Sequence, residues 1–233
     1  MKTLIRSFGR IRGKPLSQRQ QFLVDNLLPT LIPAPTPSTN TILEIGFGAG
    51  EHLMHVARAY PDRIIIGAEP YVNGVAKLLS QISDLGFRIS DLIEIGKIIK
   101  PEFKNIRIWN GDVRELLNPK SEILNQKSQH VNFIFDKIYV LHPDPWPKAR
   151  HEKRRLLQAE FIRELYEHLA PGGEIIIGTD HMDLLEWITE QIRISHLAFC
   201  ISDTPPSAGM NTRYKTKDMF GAKTTKYIII KKE

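Results

Sequence analysis

The chain has 233 residues, 42% of them hydrophobic and 25% charged, enough to bury one substantial core and form one domain with extra arms. Its single cysteine, Cys200, excludes an internal disulfide framework. With no charged-then-apolar leader and no long apolar run, the expectation is a cytoplasmic protein that does not cross a membrane.

Against 26 acidic residues stand 32 basic ones, a formal +6, and the distribution says more than the total. Lys2, Arg6, Arg10, Arg12, Lys14 and Arg19 all precede the first acid, Asp25. Lys148, Arg150, Lys153, Arg154 and Arg155 share their stretch with Glu152 alone, and Arg213 to Lys232 carries seven bases against Asp218. Any one run is explained as a solvated arm or turn. Three of them flanking a more acidic middle form the electrostatic footprint of a polyanion-binding protein, which points to nucleic acid.

In chain order, Ser17 to Leu28 predicts a short helix that starts at a Ser cap and carries Phe22, Leu23, Leu27 and Leu28 on one side. PTLIPAPTPSTN, residues 29–40, reads as a linker and puts a boundary near residue 38, separating an N-terminal arm, 1–37, from one domain, 38–233. TILEIG is then a strand, EHLMHVARAY a helix that stops at Pro61, RIIIGAEP a strand and VNGVAKLLSQISDLG a helix. Phe87 to Lys100 reads as an added helix. NIRIWNGD, DKIYVLHPDPW and GGEIIIGTD are further strands, each followed by something helical. Strands that alternate with helices, rich in Ile and Val and lacking a polar face, specify a mostly parallel α/β sheet covered on both sides, a doubly wound fold. A helix around Leu184 to Ile194 is followed by LAFCISD and KYIIIK, separated by a polar loop, which predicts an antiparallel C-terminal hairpin.

The first strand runs into Glu44-Ile45-Gly46-Phe47-Gly48-Ala49-Gly50-Glu51. Glycines at alternate positions allow a tight turn and a close backbone approach to a ligand just before a helix N-terminus. A dinucleotide fingerprint needs its third glycine at position 51, where Glu51 would set negative charge against a pyrophosphate. The E-x-G-x-G-x-G pattern instead resembles motif I of class I S-adenosylmethionine-dependent methyltransferases, which have a Rossmann-like sheet. That resemblance implies S-adenosyl-L-methionine as cofactor, bound by Glu44, Gly46, Gly48 and Gly50. Glu69 at the end of the second strand is placed to take the ribose diol, since one carboxylate accepts two hydroxyls. Asp112 stands where the family contacts the adenine end; a helix N-cap is the competing reading of that residue.

His142 to Arg155, HPDPWPKARHEKRR, hangs from the end of the fourth strand. Its prolines fix the backbone and hold the Asp144 carboxylate at little extra entropic cost. The competing reading makes Trp146 a core residue and Asp144 a cap. The five bases that follow are expected to open the next helix, where they oppose its macrodipole and so call for a partner anion; Arg154 and Arg155 in particular are expected to meet phosphate.

PDPWPKARHEKRR resembles the signature of bacterial tRNA (guanine-N7)-methyltransferases, and SFGRIRG, LEIGFGAG, GAEP, NGD and GTD are similar to that family's arm and core motifs in order and spacing, from about Arg6 to Tyr227. The resemblance implies transfer of a methyl group to N7 of a guanosine in the variable loop of tRNA. It further implies Asp144 as the catalytic residue, also close to the cofactor, with Lys148, Asp180 and Thr212, Arg213, Tyr214 and Lys215 at the tRNA guanine. The family has Thr-x-aromatic-Glu in this last loop, whereas Lys215 stands in place of the Glu. No metal is expected, and no role falls to His142, His151 or His181. Monomer and homodimer both remain open. A DNA adenine methyltransferase or a small-molecule methyltransferase would share the glycine loop, but the former expects D-P-P-Y and the latter has no use for the basic runs. An NAD-linked oxidoreductase is disfavoured by Glu51, and a noncatalytic RNA-binding module by the set of acids.

Overall fold

The computed structural model of the protein describes residue 9 and residues 13–34, 40–83, 98–117, 133–206 and 225–233. Seven strands alternate with helices and occupy one sheet in the order β3-β2-β1-β4-β5-β7-β6. The chain forms two compact units, Met1–Pro35 with Phe47–Val131 and Thr36–Gly46 with Asn132–Glu233.

The first unit starts with α1, Gln18–Asn26, and Ser17 is its N-cap. The Ser17 hydroxyl accepts from the Gln20 N–H at 3.3 Å while the Gln20 side chain accepts from the Ser17 N–H at 3.1 Å. Two helix-terminal donors are thereby satisfied reciprocally, a capping box. Leu23 and Leu27 are buried as the periodicity requires, and α1 packs on α3, Val72–Ile82. A second helix, α2 (Glu51–Ala59), covers β2 (Ile64–Ala68), which pairs in parallel with β3 (Ile106–Trp109) through Ile65 to Ala68 and Ile106 to Trp109. The short α4, Val113–Leu117, follows β3. Asn105 ties the unit together: its amide donates to the Ala57, Tyr60 and Arg63 carbonyls at 3.0–3.1 Å, satisfying the end of α2.

In the second unit β1 (Thr41–Ile45), β4 (Phe135–Leu141) and β5 (Leu169–Thr179) run parallel, with Ile45 opposite Val140 and Leu141 opposite Gly178. Every residue of β1 is buried, as are Ile175 to Thr179 of β5. Consecutive burial of this kind requires cover on both faces and bears out the doubly wound reading. Helices α5 (Ala159–Glu167) and α6 (Met182–Ile194) pack on each other and on β5. The C-terminal β7 (Lys226–Lys231) pairs antiparallel with β5, and β6 (Phe199–Ser202) pairs antiparallel with β7 at the edge. The predicted antiparallel hairpin is therefore present, with the later strand on the inside.

Three expectations need adjustment. Strand β5 begins at Leu169 rather than at Gly172, because Gly172, at φ 75°, lets pairing continue across an irregularity in register. The basic run does not open an α-helix: Ala149–Arg154 is a separate six-residue 3-10 helix, and α5 starts only at Ala159. Six residues long and followed by Arg155 in extended conformation, that 3-10 turn lacks the α-helical macrodipole that the bases were expected to oppose. The boundary near residue 38 lies outside the described residues, as does most of the helix expected from Phe87 to Lys100; its last three residues are described and are not α-helical, and Ile99 makes an isolated antiparallel bridge with Ser83.

Burial predicts energetic contrast between two isoleucines of the same sheet. Ile177 in β5 is 0% exposed and Ile201 on the edge strand is 49% exposed. In denaturant unfolding, Ile177→Ala should cost about 2–5 kcal/mol, and Ile201→Ala within about 0.5 kcal/mol. Equal losses would remove β5 from the core.

Candidate functional site

The first unit carries a cluster centred on one carboxylate. Gly48 and Gly50 adopt φ of 58° and 83°, in the left-handed region, as does Gly46 of the second unit at 74°. The Gly48 N–H donates to Glu69 Oε2 at 2.8 Å, and the Tyr71 N–H donates to Oε1 at 2.8 Å. Glu69, 7% exposed, is thus oriented by two backbone donors on opposite oxygens. A carboxylate offers about four lone-pair sites and can therefore accept from several donors at once. A Cβ built on Gly46 or on Gly48 meets nothing within 4 Å, so both backbones border open space that a side chain would fill. At Gly74 the reverse holds: a Cβ would lie 2.3 Å from the Gly48 carbonyl, so the start of α3 presses on the loop only because residue 74 is glycine.

Beyond β3, the Asn110 amide donates to the Glu69 carbonyl at 2.8 Å and the Trp109 indole donates to the Asp112 carbonyl at 3.0 Å, linking the ends of the two strands. Asp112 accepts from the Arg114 N–H at 3.0 Å, from Arg114 Nε at 2.9 Å and from Arg114 Nη2 at 2.6 Å. The capping reading of Asp112 is therefore realised, with an added ion pair. Glu51 starts α2, where its charge suits the helix dipole, and pairs with Lys77 at 3.3 Å.

In the second unit Glu44 is buried within β1, and the neighbouring strand β4 ends at Leu141. His142 continues the ladder by donating its N–H to the Gly178 carbonyl at 2.7 Å, then turns out of the sheet at φ 49°. Asp144 follows, exposed to solvent, and its carboxylate carries no hydrogen bond among the described residues. The 3-10 helix after it has Lys148 at its N-cap with no side-chain cap, and Trp146 is only partly buried, at φ 42°. Neither half of the competing reading, core tryptophan or capping aspartate, is realised here. Trp146 is instead framed by bases: Arg154 lies 5.1 Å above its ring and His151 meets it edge-on at 5.7 Å.

Lys148, Arg150 and Lys153 are exposed. Arg155 is not. It is buried, and its guanidinium is bonded to the Pro145 and Trp146 carbonyls, so the expectation of a phosphate contact there is corrected. Asp180, one residue beyond β5, lies 3.4 Å from His142 Nδ1. No spacing in the sequence could pair two residues so far apart; the parallel register of β4 and β5 does. Thr212, Arg213, Tyr214 and Lys215 lie outside the described residues.

Residues 38–226 match the family described as "Putative methyltransferase". The chain is 34% identical over 231 residues to the tRNA (guanine-N(7)-)-methyltransferase of Caulobacter vibrioides, covering 92% of this chain and 90% of that one. It is 42% identical over 190 residues to the protein of the same name from Novosphingobium aromaticivorans, 77% and 71% of the two chains. The chain belongs to the tRNA (guanine-N7)-methyltransferase family. It is thus a methyltransferase, and its fold is shared with a solved 16S rRNA methyltransferase, KamB, at TM-score 0.52 and 15% identity over 96% of this chain and 99% of that one. No helix among the described residues of this family member is long and apolar enough to cross a membrane.

Burial holds the His142 imidazole below its ordinary 6.5, against an upward pull from Asp180. The unfolded methyltransferase therefore binds a proton at a pH where the folded one does not. The contribution of His142 to stability is complete above about pH 6.5 and is lost as the pH falls through the lower folded-state value. In thermal melts taken from about pH 7 to about pH 5, His142→Phe should decline less steeply on the acid side than the wild type. Parallel declines would assign the effect to other groups.

Proposed function

We propose that this chain transfers a methyl group from S-adenosyl-L-methionine to N7 of a guanosine in the variable loop of tRNA, as a cytoplasmic tRNA-modifying enzyme with Asp144 as the catalytic residue. The observation that carries the reading is the exposed Asp144 carboxylate on a proline-fixed turn at the end of β4, in a chain whose relatives carry that activity in their names.

The residues present suit the cofactor. Glu69 is a buried carboxylate oriented by two backbone N–H groups, and the open space at Gly46 and Gly48 is of the kind a closely approaching ligand needs. Glu44, Gly46, Gly48, Gly50, Glu69, Asp112 and Asp144 are the proposed cofactor set, carried over from the family pattern. Asp112 enters by the family pattern, since its described bonds go to Arg114. The cofactor supplies an electrophilic methyl group on a sulfonium.

Guanine N7 already has a free lone pair, so no protein base is needed to create the nucleophile. The protein's work is orientation, and effective positioning contributes on the order of 7–11 kcal/mol to such a step. Asp144 is proposed to accept from the N1 and N2 donors of the base. As N7 is methylated the ring becomes cationic, its N–H groups become better donors, and those hydrogen bonds strengthen; this stabilises the transition state more than the ground state. Asp180 and Lys148, with Thr212 to Lys215, are proposed to hold the guanosine or its surroundings. Exposed Lys148, Arg150 and Lys153 are suited to phosphates, whose neutralisation releases counterions.

Incubation with labelled S-adenosylmethionine and bulk tRNA, followed by digestion to nucleosides, should yield 7-methylguanosine; label in any other nucleoside, or in none, would overturn the reading. Asp144→Ala should abolish turnover and leave cofactor binding weakened but measurable by calorimetry. A variant that methylates tRNA at the wild-type rate would remove Asp144 from the mechanism.

A further inference from the structure

The turn that presents Asp144 is short of hydrogen-bond donors. Pro143, Pro145 and Pro147 have no N–H, so Asp144 and Trp146 hold the only backbone donors of that segment. Trp146 sits at φ 42°, a conformation that a bulky side chain adopts only under outside constraint. Its carbonyl and that of Pro145 must take donors from elsewhere.

Arg155 supplies them. Its Nε donates to the Pro145 carbonyl at 3.0 Å and Nη2 to the Trp146 carbonyl at 3.3 Å, so one planar guanidinium bridges two consecutive peptide groups. The remaining terminal nitrogen, Nη1, lies 3.7 Å from the Glu152 carboxylate, and the guanidinium lies 4.9 Å over the Trp187 ring of α6. The side chain is 6% exposed. A buried cation is tolerated when its charge and donors are met in this way. Arginine suits the task because its rigid fork engages two acceptors at once, which the single ammonium of lysine cannot do in the same geometry.

We propose that Arg155 is a positioning residue for the Asp144 corner: it locks the turn to α6 and does not contact tRNA. The proposal rests on Asp144 acting as the catalytic group. Within one basic run the bases then divide, with Lys148, Arg150 and Lys153 facing solvent and Arg155 facing the turn they follow. Loss of the clamp leaves two carbonyls without donors and releases Trp146 from its strained conformation, and Asp144 moves with it. Displacement of a reacting group by about 1 Å is enough to lower turnover by roughly a hundredfold.

The test measures kcat and KM for tRNA at saturating cofactor, the salt dependence of tRNA binding, and cofactor affinity. For Arg155→Gln, which keeps one amide donor and loses the charge, kcat is expected to fall about ten- to a hundredfold, with KM, salt slope and cofactor affinity as in the wild type. Arg155→Lys should give an intermediate kcat. Lys153→Ala, an exposed base of the same run, should lower the salt slope by about one and so marks what loss of a phosphate contact looks like. A slope lowered by Arg155→Gln at unchanged kcat would make Arg155 a phosphate contact and overturn the proposal. Unchanged kcat and slope, or a parallel loss of cofactor affinity, would overturn it too. Where the Gln variant fails to fold, Arg155→Lys decides: reduced kcat at wild-type KM supports the clamp and wild-type kcat refutes it. Wild-type protein inactive on tRNA sinks this proposal together with the proposed function; active wild type with an unaffected variant sinks this one alone.

Discussion

Parallel pairing of β1, β4 and β5 is the constraint from which the second unit's chemistry hangs. With Ile45 opposite Val140 and Leu141 opposite Gly178, three strands that run the same way end at one edge. Gly46, His142 and Asp180 each leave the sheet within two residues of that edge. A slip of one residue would invert every side chain on a strand whose two faces are both buried, so the register is strongly specified. The Gly178 carbonyl, by accepting from His142, carries the ladder one step further and sets where the proline-rich turn begins.

Orientation of carboxylates recurs, by different means. Glu69 is held by the N–H groups of Gly48 and Tyr71, so its direction is set by the backbone of the glycine loop and of the α3 entry. Asp112 is held by Arg114, within its own helical turn. Asp144 lacks such bonds among the described residues, and its placement falls to the backbone instead: three prolines, a left-handed tryptophan and a guanidinium on the carbonyl side. A carboxylate left free to accept from a substrate has to be fixed through its main chain, since hydrogen bonds that restrain the side chain also occupy its acceptors.

Positive charge has two uses within a single run of sequence. Exposed bases create a field that acts over roughly 10 Å at moderate salt, whereas a buried guanidinium acts through directed hydrogen bonds over about 3 Å. Counting bases therefore overstates the footprint available to a polyanion. Arg155 belongs to the fold, and Arg154, over the Trp146 ring, stands between the two roles.

Periodicity and local chemistry in the sequence determined the alternation of strands and helices, the capped start of α1 at Ser17, the glycine loop, the C-terminal hairpin and the family. The strands, helices, cap and glycine loop each depend on neighbours within a few residues, which is the range over which a 3.6- or 2-residue repeat, a cap or a turn is written. Only the tertiary structure decided that His142 meets Asp180, that Arg155 faces the turn and stacks on Trp187, and that the bases lie on a 3-10 turn instead of an α-helix. Those partners are brought together by strand register and helix packing, and a side chain's exposure is settled by what packs against it, a quantity no single residue or short motif contains.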